Sequence, residues 1–148
     1  KNDYNYNMLS FFKKPIQRVS FEDVQYAIKV PHSFMIINTL HFNEQQCLIQ
    51  NTVSCFEEES HINNLINEHN FYDKNIIIYG KNSNDESVDK KYSQIAAHGF
   101  TKIFVYSGGL FEWLCLQDIY GDKEFPTNEK TLDILKYKSN SRFFNKLL

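Results

Sequence analysis

The stretch "NIIIYGKNSNDESVDKKYSQIAAHGFTKIFVYSGG", Asn75 to Gly109, decides the fold class. Its first run, Ile76 to Ile78, is apolar without interruption, as a strand covered on both faces requires. A polar loop follows, then a helical segment closed by Gly99, the left-handed residue expected just past a helix C-terminus. Phe100 and Lys102 lead into a second apolar strand, "KIFVYSGG". Strand, helix and strand in this order form a βαβ unit with parallel strands, so the chain is α/β. The loop at Gly80 to Glu86 sits where backbone amides converge on a helix start, the usual seat of a phosphate, persulfide or nucleophile.

The same alternation extends upstream. "RVSFEDVQYAI" gives a short strand and a helix, with Ser20 at the N-cap and Asp23 three residues on. "FMIINTL" is another buried strand, "CLIQNTV" a second short apolar run, and "FEEESHINNLINEHN" a helix with Ile62, Leu65 and Ile66 on one face. The acids that lead this last helix suit its dipole. No internal repeat and no Pro, Gly or Ser linker interrupts the pattern. One domain is expected over residues 19–138, between an N-terminal extension, 1–18, and a C-terminal tail, 139–148.

Composition removes several function classes. The 148 residues carry a formal charge of -2, with lysines scattered among acids, so no basic face for nucleic acid is visible. No apolar run approaches the ~20 residues of a membrane-spanning helix. Cys47, Cys55 and Cys115 have no paired spacing, which suits a reducing intracellular compartment, the cytoplasm first. The five histidines are dispersed; His61 and His69 lie more than two helical turns apart, too far to share a metal, and no metal or other cofactor is expected.

The segment "HGFTKIFVYSGGLFEWLCLQDIYGDKEFP" resembles the second half of a rhodanese-like domain, whose "GF..V..L.GG...W" pattern is matched by Gly99, Phe100, Val105, Gly108, Gly109 and Trp113. The earlier "FMIINTLHFNEQQCLIQNTV" is similar to that family's "LIDVR...EY..GHI.GA", with Asn38 at the usual Asp and Leu40 at the usual Arg. The resemblance spans most of Val19 to Phe125 and implies a three-layer α/β/α fold around a mostly parallel sheet of about five strands. It also implies that paired glycines turn the chain off a strand into a helix, with Trp113 facing the sheet.

Active members of that family carry a cysteine directly after the central strand, and a related phosphatase branch ends a longer loop in arginine. Here Gly80 stands at the cysteine position, and Asp85 or Glu86 at the loop's end. The resemblance therefore implies a catalytically inactive, protein-binding or structural module, with possible assembly into a larger complex. The alternative is a sulfurtransferase or phosphatase-like enzyme with a nucleophile elsewhere. The loop has two readings: a capping box from Ser83 to Glu86, or a residual binding loop offering Lys81, Asn82, Ser83 and Asn84 to a small anion or a partner's carboxylate. A protein partner is expected through the aromatic termini, Phe11 and Phe12 at one end and Phe143, Phe144, Leu147 and Leu148 at the other. "LQDIYGDKEFPT" and "NEKTLDILKYK" can either fold back to close the core or form a docking surface.

Overall fold

The computed structural model describes residues 14–144. Phe11, Phe12, Leu147 and Leu148 lie outside them. Four strands form the sheet: β1 (Arg18–Val19), β2 (Phe34–Asn38), β3 (Asn75–Tyr79) and β4 (Ile103–Tyr106). All pair in parallel, in the order β1-β4-β3-β2. Between and after them run α1 (Phe21–Lys29), α2 (Glu58–Asn67), α3 (Ser87–Ala97) and α4 (Gly109–Tyr120), with 3-10 turns at Phe42–Glu44 and Ile134–Tyr137.

Strand residues alternate between two cores, as their period of two demands. Ile76, Ile78, Met35, Ile37, Ile103 and Val105 face Ile62 and Leu65 of α2 and Val88 and Ile95 of α3. Ile77, Tyr79, Ile36 and Tyr106 face Val24 and Ala27 of α1 and Leu110, Trp113 and Leu114 of α4. Both faces of the central strands are thus covered, which is why Ile76 to Ile78 carries no polar residue.

The sheet has four strands, not about five. The "CLIQNTV" run touches β2 through a single parallel bridge, Ile36 to Thr52, and then turns. Asn51 takes a left-handed φ of 67°, which ends any strand there. Tyr79 holds the turn from below: its hydroxyl oxygen accepts the Ile49 N–H at 3.2 Å and lies 2.8 Å from Thr52 Oγ1. At the start of α1 the Ser20 N–H donates to the Asp23 carboxylate at 2.8 Å, as the spacing predicts.

The C-terminal segment closes the α1/α4 core. Phe125 packs edge-on against Trp113 with ring centroids 5.0 Å apart, and Tyr137 is fully buried beside them. Its backbone also serves: the Pro126 carbonyl accepts the Trp113 indole N–H at 3.2 Å. Leu132 and Leu135 stay exposed, so this segment buries one side only.

Truncating the fully buried Trp113 to Ala is expected to lower stability by about 3–5 kcal/mol in urea unfolding followed by circular dichroism. Tyr137→Phe is expected to be neutral or slightly stabilising, because the buried Tyr137 hydroxyl has no hydrogen-bond partner among the described residues.

Candidate functional site

The four strands end on one edge of the sheet, where ligands of open α/β folds bind. There an open groove of about 1070 Å³ runs past the loop after β3. Lys81 to Glu86 line it, joined by Arg18 from β1, Thr39 after β2, Ser107 after β4, and Asn140 and Arg142 from the C-terminal segment.

The loop is held from beneath by the start of α4. Leu110 and Phe111 donate their backbone N–H groups to the carbonyls of Gly80 and Lys81, each at 2.9 Å. Two of the otherwise unpaired donors of a helix N-terminus are thereby satisfied. Gly109 makes the approach possible: its φ is +67°, and a Cβ there would lie 2.8 Å from the Gly80 carbonyl oxygen and 3.0 Å from Asn82 Cα. Gly108 is crowded from the other side, by Glu112, whose carboxylate accepts the Tyr106 hydroxyl. Burial, followed by the neighbouring Glu112, pushes the Tyr106 phenol well above its ordinary pKa. Trp113 faces the sheet, fully buried.

Within the loop, Asp85 is the organising residue. Its Oδ2 accepts the Lys81 N–H at 2.8 Å and its Oδ1 accepts the Ser87 N–H at 3.1 Å. The Ser87 hydroxyl donates to the same Oδ1 at 2.5 Å and lies 2.8 Å from Thr39 Oγ1. The capping box between Ser83 and Glu86 does not form: α3 begins at Ser87, and Glu86 at its N-cap makes no side-chain cap. Asp85 takes the role because its two oxygens span the loop's first amide and the helix's first amide at once.

Lys81 and Asn82 are committed to neighbours. Lys81 pairs with Glu44 at 2.6 Å. The Asn82 amide donates to the Tyr137 carbonyl at 3.0 Å, tying the loop to the C-terminal segment, while its Oδ1 accepts the Asn84 N–H at 3.0 Å. Ser83 and Glu86 are exposed on the groove wall.

Sequence reading misses Arg18 and Arg142, which the fold brings to the groove from opposite ends of the described chain. Arg18 donates to Ser107 Oγ at 2.9 Å. The only signal for it is its place at the start of a short strand, readable once β1 is known to lie beside β4. The groove sets Arg18, Lys81 and Arg142 against Glu44, Asp85, Glu86 and Asp89, a balance that gives no strong pull on a phosphate.

None of the three cysteines lines this groove. Cys47 is buried, its thiol donating to the Glu129 carbonyl at 3.1 Å, and burial pushes its pKa up. The Cys115 thiol is also pushed up, by burial first and then by the charges of Asp118 and Glu112. Among the described residues no cluster of His, Cys, Asp and Glu is placed to hold a metal, and no helix is long and apolar enough to cross a membrane.

A family model described as rhodanese-like domain matches residues 22–115. Among solved structures, the yeast protein Ygr203w, described as a protein tyrosine phosphatase of the rhodanese family, is similar at 14% identity, with a TM-score of 0.56 over 82% of this chain and 97% of that one. The BH2092 protein of Bacillus halodurans is 17% identical, with a TM-score of 0.54 over 80% of this chain and 84% of that one. An As-Sb reductase from Leishmania major is 19% identical, with a TM-score of 0.52 over 73% and 81%. No curated protein matches the sequence. At these identities the structures share the fold.

Asp85→Ala is expected to cost about 0.5–2 kcal/mol, the usual price of a lost N-terminal cap, measured by thermal or urea unfolding. Gly109→Ala is expected to cost at least about 1–2 kcal/mol from its left-handed φ alone, with the Gly80 carbonyl displaced in addition.

Proposed function

The chain belongs to the rhodanese-like domain family, and from that premise we propose that it is a member without covalent chemistry, working as a protein-binding or structural module. One observation carries the reading: the residue directly after β3 is Gly80, and the Asp85 carboxylate leans over it. A Cβ at Gly80 would lie 2.5 Å from Asp85 Oδ2 and 2.5 Å from Val88 Cγ2. The resemblance assigns this position to the sulfur-carrying cysteine of active members. Here the space next to the strand end belongs to a carboxylate, which repels an incoming anion and already holds the amides that would receive one.

Cys47 and Cys115 offer no replacement, and Cys55 lies outside the groove. A raised pKa means less thiolate at neutral pH, and the thiolate is the nucleophile, so Cys47 and Cys115 are poorly suited to attack. The activities named for the yeast and Leishmania structures stay with those proteins, because a shared fold does not transfer chemistry. Exposed aromatic residues near the groove, Phe42, Phe56, Phe143 and Phe144, support a binding role.

Native protein assayed for thiosulfate-to-cyanide sulfur transfer and for aryl phosphate hydrolysis is expected to turn over neither substrate. Gly80→Cys is expected to stay silent and to melt earlier than the native chain, because the added side chain meets Asp85 and Val88. Native turnover abolished by one Cys→Ser change would overturn the reading and identify the nucleophile. In a thiol-labelling time course, the half-buried Cys55 and Cys115 are expected to react before the buried Cys47, which stays protected until the protein unfolds.

A further inference from the structure

Two exposed aromatic patches of opposite charge flank the same groove. On one side Phe42 and Phe56 pack edge-on, with centroids 5.5 Å apart, although they remain 69% and 78% exposed. Phe42 comes from the 3-10 turn after β2 and Phe56 from the turn before α2, so the fold has assembled an aromatic pair and left it in water. Its surroundings are acidic. Glu57, Glu58 and Glu59 follow Phe56, and Glu44 lies two residues from Phe42. Lys81 and Lys91 offset Glu44 and Glu58; Glu57 and Glu59 have no ion pair among the described residues.

The second patch is basic. Phe143 and Phe144 are 77% and 66% exposed, in a stretch that carries Lys136, Lys138, Arg142 and Lys146 and no Asp or Glu from Ile134 to Leu148. Arg142, beside Phe143, lines the groove, as do His41 and Glu44 on either side of Phe42. Each patch offers what the other lacks. An exposed phenylalanine pair rimmed by carboxylates accepts aromatic side chains together with a guanidinium or ammonium group, through apolar contact, cation–π attraction and ion pairing.

We propose that the basic, aromatic C-terminal segment around Arg142, Phe143 and Phe144 docks on the acid-rimmed Phe42–Phe56 pair of a second copy of this chain, and that the contact is reciprocal. Because both patches adjoin one groove, a two-fold axis near its mouth lets each copy supply one segment and receive one, as an isologous interface requires. The association covers four phenylalanines that the isolated chain leaves exposed. The inference rests on the binding-module reading, for which it names a partner. Its test reads mass rather than turnover, so its failure is distinguishable from a failure of the claim that the chain lacks chemistry.

The experiment is sedimentation equilibrium on the full chain across a wide concentration range, with Phe42→Ser/Phe56→Ser and Phe143→Ser/Phe144→Ser measured alongside. The native chain is expected to dimerise, more weakly at high salt as screening grows. Each double variant is expected to weaken the dimer at least about tenfold, as loss of interface anchors does. An unchanged circular dichroism melt would show that these exposed substitutions leave the fold intact. Mixing the two variants restores one intact patch to one intact segment, and the mixture is expected to form a heterodimer where neither variant alone dimerises. A native chain that stays monomeric, a dimer indifferent to either pair of substitutions, or a mixture that remains monomeric would each overturn the proposal.

Discussion

The contact between Gly109 and the Gly80–Asn82 backbone is the constraint around which the groove end of the molecule is built. Two amides at the start of α4 grip the carbonyls of Gly80 and Lys81, and the approach leaves no room for a Cβ at residue 109. That grip joins the loop after β3 to the helix after β4. It also fixes Trp113, one helical turn further on, against the face of the sheet where Tyr106 and Phe125 meet it. Local backbone geometry and the aromatic core are therefore one arrangement.

With the loop held from below, its upper side is organised by Asp85. A carboxylate that binds the first amide of the loop and the first amide of α3 satisfies locally the donors that an anion-binding loop presents to its ligand. Rigidity follows as well, because Ser87, Thr39, Lys81 and Glu44 are drawn into the same network. The loop lies at the carboxyl end of β3, and its Asp85 carboxylate is spent on the loop's own amides. Phe42, Phe56, Phe143 and Phe144 are exposed near this edge.

The C-terminal segment links core and rim. Tyr137 is buried with Trp113 in one hydrophobic cluster, yet its carbonyl receives the Asn82 amide and the chain beyond it carries Arg142 to the groove. A segment anchored this way closes the core from one side and presents charge from the other.

Much of the fold was legible in the sequence because its signals are local or periodic. The unbroken Ile76–Ile78 run, the left-handed stop at Gly99 and the Ser20–Asp23 spacing each reflect physics acting within a few residues. They determine the α/β class, and the pattern ending in Gly108, Gly109 and Trp113 points to the family. The sheet has four strands and not the about five that the resemblance implies, and an apolar run such as "CLIQNTV" satisfies a strand pattern equally well whether it pairs or turns. The left-handed Asn51 and the hydroxyl of Tyr79, 27 residues from Thr52, decide that it turns. Of the loop's two readings, the capping box fails for a related reason: Ser83 and Glu86 have the right spacing, but the loop's path places Asp85 where it reaches two amides. Tertiary structure alone brought Arg18 beside Ser107 and Arg142 into the same groove, and left Phe42 against Phe56 in solvent. Such contacts depend on the strand order and on where each connection ends, which no spacing within a single segment encodes.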